Sequence, residues 1–180
     1  AGDFTNSSGN YFVAKYNGST WSELGGINAL AANNYIRCLC SDPSGNIYAA
    51  GNFTNSNGKQ YVAKWNGSSW SIPSTAGYTL GGTVYMTNIN NDIYLSSNSS
   101  YQSGPWQWAV FKYNGTAFTR LGNYFDAPIN DITNYNNEVY IGGTFITCGI
   151  TPMNKVAKWN GTSWLNEGAG LNLNVYSLEV

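Results

Sequence analysis

Residues 61–70 read YVAKWNGSSW, from Tyr61 to Trp70. Apolar and polar residues alternate on either side of an Asn-Gly pair, the pattern of two short strands joined by a tight turn. The segment recurs as FVAKYNGSTW from Phe12, VFKYNGTAF from Val110 and KVAKWNGTSW from Lys155. Such self-similarity decides the architecture first, because it makes the chain an array of one supersecondary unit. Aligned on Lys15, Lys64, Lys112 and Lys158, the copies lie roughly 46 to 49 residues apart, the length of a four-stranded propeller blade.

The rest of each unit follows one grammar. A glycine-aromatic strand opens it: AGDFT from Ala1, AGNFT from Ala50, GGTF from Gly142, and a degraded copy, SSNSS, from Ser96. A variable loop and the hairpin follow. Next comes a strand of form V-x-x-L: IRCL from Ile36, VYMT from Val84, INDI from Ile129 and VYSL from Val175. The pairs Asn17-Gly18, Asn66-Gly67, Asn114-Gly115 and Asn160-Gly161 predict type I′ turns, with positive φ at both central residues. Pro43-Ser44-Gly45, Asn90-Asn91 and Asn136-Asn137 supply the second turn of successive units. No segment has a helical period with caps.

The expected fold is therefore all-β: a small β-propeller of four blades, each of four antiparallel strands, with units at about 1–49, 50–95, 96–141 and 142–180. The last unit stops at Leu178-Glu179-Val180, after V-x-x-L. The chain opens with the strand type that follows V-x-x-L elsewhere. Ala1–Thr5 is thus expected to complete the last blade and close the ring, leaving no edge unpaired. The chain has no initiator Met or signal peptide, and Ala1-Gly2 already lies inside a repeat, which reads as a processed chain or a segment of a longer one.

Composition narrows the function classes. Charged residues make up 9% of the chain, against about 25% in ordinary globular proteins, so Asn, Ser, Thr and Gly carry its polarity. A net charge of −1 cannot neutralise a run of phosphates, so no nucleic-acid partner is expected. No apolar run is long enough to span a bilayer as a helix, so no membrane insertion is expected. No cofactor or metal is expected. With no His, neither a Ser-His nor a Cys-His pair exists. Cys38, Cys40 and Cys148 read as small buried residues, with a bridge from Cys148 to Cys38 or Cys40 as the alternative. Asp126 and Asp131 are the only candidate carboxylate pair, and they read as surface or turn-capping residues. The chain is not expected to be an enzyme.

AKWNGSSW, then V-x-x-L, then D-x-S-G-N-I-Y-A-A-G-N-F-T resembles the tandem repeats of secreted and cell-surface bacterial propeller proteins, distant relatives of kelch and galactose-oxidase-type blades. The resemblance covers nearly the whole chain. It implies an extracellular protein that binds proteins or glycans. The copper-oxidase chemistry of one branch does not transfer, because its His ligands are missing. The third unit departs from the pattern, with Ser97 in place of glycine and Phe118 in place of the second Trp.

Three groups of residues remain as candidates. The repeated lysines and the hairpin aromatics read as structural, the lysine stems covering aromatic surface and the aromatics packing blade on blade. Asn17, Asn66, Asn114 and Asn160, with Asn6, Asn52 and Asn98, head N-x-S/T triplets and are possible glycosylation sites, or turn chemistry alone. The third variable loop carries Tyr101, Trp106 and Trp108, which no repeat pattern demands. Their readings are a stacking surface for a sugar or protein anchor, or a patch for the core beside Phe118. The expected function is a non-catalytic structural or adhesive module of a surface assembly, contacting proteins or copies of itself; the alternative is a lectin using loop aromatics and amides.

Overall fold

A computed structural model describes residues 2–102 and 104–180. The described residues form strands and turns and no helix. β1 (Ala14–Tyr16) and β2 (Trp21–Glu23) make a two-stranded sheet. β3 (Ile36–Ser41), β4 (Ile47–Gly51), β5 (Ala63–Trp65) and β6 (Trp70–Ser71) make an antiparallel sheet in chain order. β7 (Tyr78–Ile89), β8 (Asp92–Tyr101), β9 (Gln107–Tyr113) and β10 (Phe118–Phe125) repeat that order. So do β11 (Ile129–Tyr135), β12 (Glu138–Gly143), β15 (Val156–Trp159) and β16 (Trp164–Asn166). The short β13 (Thr147–Cys148) and β14 (Thr151–Pro152) extend the β10 edge, making that sheet six-stranded.

The all-β class is as expected, but the ring does not close and the sheets are not four equal blades. Within Gly2–Thr5 the backbone bridges only Thr5 to Tyr11; Ala1 lies outside the described residues. Gly2–Thr5 therefore adds no strand to the last unit. Residues 175–178 instead lie beside β11: the Val175 N–H donates to the Gly143 carbonyl at 3.0 Å, and Asn130 Nδ2 donates to the Val175 carbonyl at 2.8 Å. The first strands β3, β7 and β11 neighbour one another in that order, with 175–178 next in line.

Neighbouring units are joined through the hairpins. Each hairpin sets a cross-strand aromatic pair on its tip: Tyr16–Trp21, Trp65–Trp70, Tyr113–Phe118 and Trp159–Trp164, with ring centroids 5.0–5.6 Å apart. The second indole then reaches back one unit. Trp70 Nε1 donates to the Leu24 carbonyl at 3.2 Å, and Trp164 Nε1 to the Leu121 carbonyl at 3.0 Å. The next residue in each acceptor unit, Gly25 or Gly122, leaves room for the rings: a Cβ there would fall 2.7 Å from Trp65 or 2.8 Å from Trp164. Trp21 meets no such carbonyl among the described residues and is 71% exposed. In a closed ring it would be covered by the last unit.

Three of the four repeated lysines lie over aromatic rings, and Lys15 is exposed. Tyr48 faces Lys64, Tyr94 faces Lys112 and Tyr140 faces Lys158 across adjacent strands. Each ammonium sits 5.5–6.0 Å from its tyrosine ring centroid. Lys112 and Lys158 also pair with Asp92 at 2.6 Å and Glu138 at 3.2 Å. These pairs are partly exposed, so they set register more than they add stability.

Two local expectations are corrected. At the Asn-Gly turns only the glycines Gly18, Gly67, Gly115 and Gly161 have positive φ. The asparagine sits at the corner, and its Oδ1 accepts the backbone N–H groups two and three residues on, as Asn66 does from Ser68 and Ser69 at 2.9 Å. The left-handed pairs that type I′ needs occur at Asn90-Asn91 and Asn136-Asn137. The V-x-x-L alignment at Val84 also shifts by one: Thr83 faces Ser97 as Ile36 faces Gly51 and Ile129 faces Gly143. Each of these places is followed by a β-bulge.

The glycine opposite the bulge has a steric reason. A Cβ on Gly51 would fall 2.3 Å from the Tyr35 carbonyl oxygen, and one on Gly143 would fall 2.2 Å from that of Pro128. The crossing chain is backbone and cannot yield. Gly143→Ala is expected to cost about 2–4 kcal/mol in urea denaturation, while Gly82→Ala, with open space around its Cβ, stays within about 0.5 kcal/mol.

Candidate binding surfaces

The third variable loop forms one wall of a cleft of about 670 Å³. Thr54, Lys59 and Gln60 of the second unit form the facing wall, and Thr79–Gly82 and Asn98 the floor. Trp106 and Trp108 both line it, as their alternate spacing on an extended segment predicts. Trp106 is 53% exposed, with its ring against Gly81, where a Cβ would fall 2.3 Å from the indole. Trp108 is half-buried and packs on the core shared by the third and fourth sheets, a cluster separate from the one that holds Phe118. Tyr101 is not part of the cleft: its ring packs tilted against Tyr78, centroids 4.8 Å apart, and it is partly exposed. Ser103 of the same loop lies outside the described residues.

The sequence reading missed Lys59, Gln60 and Asn98 as cleft residues. Gln60 Oε1 and Asn98 Oδ1 are buried without a hydrogen-bond partner. Buried carbonyls are nearly always paired, so two orphans beside one cleft mark it as polar ground. Gln60 ends a variable loop, NSNGKQ, and that position was the one signal available for it.

A second apolar groove, of about 740 Å³, lies on the first hairpin and is lined by Phe4, Phe12, Ala14, Trp21 and Ile27. Phe4 is the counterpart of Phe53 and Phe145. Those two are fully buried, whereas Phe4 is 39% exposed. Among the described residues no inner strand pairs with this hairpin, as β4, β8 and β12 do in the other units.

Equivalent positions on the first strands put Cys38, Tyr85, Asp131 and Ser177 in one line. Asp131 is buried rather than on the surface. Its Oδ2 accepts from Ser177 Oγ at 3.0 Å and the Leu178 N–H at 2.7 Å, and its Oδ1 from the Ile132 N–H at 2.8 Å. Asp126 caps the loop at Ile146 and Thr147, as a turn-capping carboxylate should. The two acids are thus committed to separate backbone contacts. Burial, followed by the Asp131 charge, pushes the Tyr85 hydroxyl up. The three cysteines are free thiols, and burial pushes Cys38 and Cys40 up to about 12 and Cys148 to about 11, which keeps them protonated and poorly nucleophilic at neutral pH. No cluster of three metal-ligating side chains occurs among the described residues.

The seven N-x-S/T asparagines divide by environment. Asn17, Asn66, Asn114 and Asn160 are exposed at turn tips, and their Oδ1 atoms serve the turn. Asn6 donates from Nδ2 to Glu23 and Asn28, and Asn52 donates to the Tyr35 hydroxyl, so both amides are already engaged. Asn98 lies in the floor of the cleft.

Comparison with protein-family models, curated proteins and solved structures finds no match to this chain. No helix among the described residues is long and apolar enough to cross a membrane.

The Asp131 contacts are testable. Asp131→Ala removes the acceptor that holds residues 177 and 178, with an expected loss of about 1–3 kcal/mol and of amide-exchange protection at Leu178. Protection elsewhere in β11 would persist if the effect is local.

Proposed function

We propose that this chain is a non-catalytic, extracellular, propeller-type repeat module whose work is protein–protein contact within a surface assembly. The observation that carries the reading is the first hairpin. It keeps the repeat's apolar residues and aromatic pair but leaves Phe4, Trp21 and Ile27 open to solvent. Exposed aromatic and aliphatic groups in one patch favour a macromolecular partner. The kelch-like resemblance agrees with such a role, and the thiols and carboxylates have the environments of structural groups.

A photo-crosslinking residue in place of Trp21, in the organism that makes the protein, tests this. A polypeptide adduct, whether another protein or a second copy, is the expected product. Adducts confined to lipid or sugar, or none at all, would remove the reading.

The glycan-binding alternative has its own observation: the Trp106–Trp108 cleft, with orphaned carbonyls at Gln60 and Asn98. An indole face beside amides suits a neutral sugar ring. On a glycan array, this reading expects at least one sugar class to bind and Trp106→Ala to weaken it by about tenfold. No retained sugar of any class would count against it.

A further inference from the structure

We propose that the cleft on the six-stranded sheet takes an acidic sugar, a pyranose ring that carries a carboxylate. Trp106 is the platform for the ring, Gly81 is the positioning residue that seats Trp106, and Lys59 meets the carboxylate. This rests on the glycan reading above and names the sugar class.

The cleft exists because this sheet departs from the repeat. In the neighbouring sheets the strands β4 and β12 stop at Gly51 and Gly143, where a crossing carbonyl takes the space that a Cβ would fill. Ser97 stands in that place on β8, and with a side chain there the crossing cannot form. β8 therefore runs on to Tyr101, β7 starts at Tyr78 to stay beside it, and β9 starts at Gln107, well ahead of its repeated lysine. The lengthened ends bring Asn98, Gly81 and Trp106 to one cleft. Additions to a repeated scaffold are where such a fold has freedom to build a site.

Gly81 and Trp106 fit each other. Gly81 is the bulged residue of β7, between Leu80, which faces Ser99, and Gly82, which faces Asn98. Its φ lies outside the left-handed region, so backbone freedom does not account for the glycine. The indole does, because its six-membered ring lies against the Gly81 backbone and fills the place of a Cβ. Trp106 is thus backed by main chain on one side while its ring stays 53% exposed. An aromatic ring fixed in this way stacks on the C–H face of a pyranose.

The rest of the lining sets the ligand's charge. Among the described residues that line the cleft, Lys59 alone is charged. Its backbone is clamped: its N–H donates to Asn55 Oδ1 at 3.1 Å, and its carbonyl accepts from the Asn55 N–H at 2.9 Å. Lys59 is exposed, and no described carboxylate pairs with it. An ammonium on the wall of a cleft that holds no acid favours an anionic ligand, and a carboxylate at the ring's edge meets it with a charge-assisted hydrogen bond. The carbonyls of Gln60 and Asn98 take hydroxyl hydrogens. Neither has a protein bond to break, so a turn of the amide brings it to the ligand. The indole and the amides hold the uncharged ring, and the lysine selects the acid at its edge.

The test is calorimetric titration of the intact protein with trisaccharides of glucuronate, galacturonate and mannuronate, each beside its carboxyl-reduced counterpart. A tri-glutamate peptide serves as the charge control. At least one uronate is expected to bind about three- to tenfold more tightly than its reduced form, and added salt should erase that difference. Lys59→Gln should bring the acid down to the affinity of the reduced sugar. Gly81→Ala pushes the indole off its seat and should weaken acid and reduced sugar alike by about tenfold. The urea midpoint should not move with it, because the exposed ring shifts aside. Reduced sugars bound as tightly as the uronates would keep the glycan reading and overturn the acidic-sugar proposal. No sugar bound at all would overturn both. Tri-glutamate bound as tightly as the uronates would show that charge alone is read, and would overturn the proposal too. Unchanged affinity in Gly81→Ala would remove Gly81 as the seat of the platform.

Discussion

Strands of two to seven residues, as in the second and fourth sheets, make sheets too small to bury two faces by themselves. Each sheet is therefore covered by its sequence neighbours, and everything else follows from how that cover is made. The contact is specific. An indole N–H finds a carbonyl one unit back, over a glycine that gives the ring room. The cost of leaving that polar group buried and unpaired is what makes the hairpin recur with its second Trp in place. Where Phe118 replaces Trp, the hydrogen bond goes, and the Phe118 N–H takes the Ser74 carbonyl at 2.7 Å instead.

The same constraint explains where this protein is open. Cover passes back along the chain from each unit to the one before, and no described residue plays that part beneath or beside the first hairpin. Its Phe4, Tyr16 and Trp21 have the chemistry of core residues and the exposure of surface ones. At the other end, residues 175–178 lie on β11 and are held there by the buried Asp131. The exposed groove is therefore the uncovered side of a unit of ordinary composition.

Much of the candidate site was legible in advance, and the limit is instructive. Trp106 and Trp108 stood out because the repeat does not require them, and their spacing of two put them on one side of a strand. Tyr101 stood out for the same reason but lies at the end of β8, against Tyr78, where the long strand carries it away from the cleft. Gln60 and Asn98 were invisible as partners. One belongs to a loop of the second unit and the other to a strand of the third, and only the packing of the two units brings them to one cleft. Asp131 read as a surface acid because a carboxylate is rarely buried; its burial follows from three donors, two of them more than forty residues away in sequence.

The amino-acid sequence by itself determined the all-β class, the four hairpins, the strand order within a unit, and the packing of the lysines and aromatics in the last three hairpins. These are local matters, set by period-two alternation and by turn residues a few positions apart. The tertiary structure alone decided that the ring stays open, that the asparagine of each Asn-Gly turn caps rather than bends, and which loop residues share a cleft. Closure depends on the summed angle between successive sheets, and a cleft depends on two units meeting. Neither quantity is carried by any one repeat.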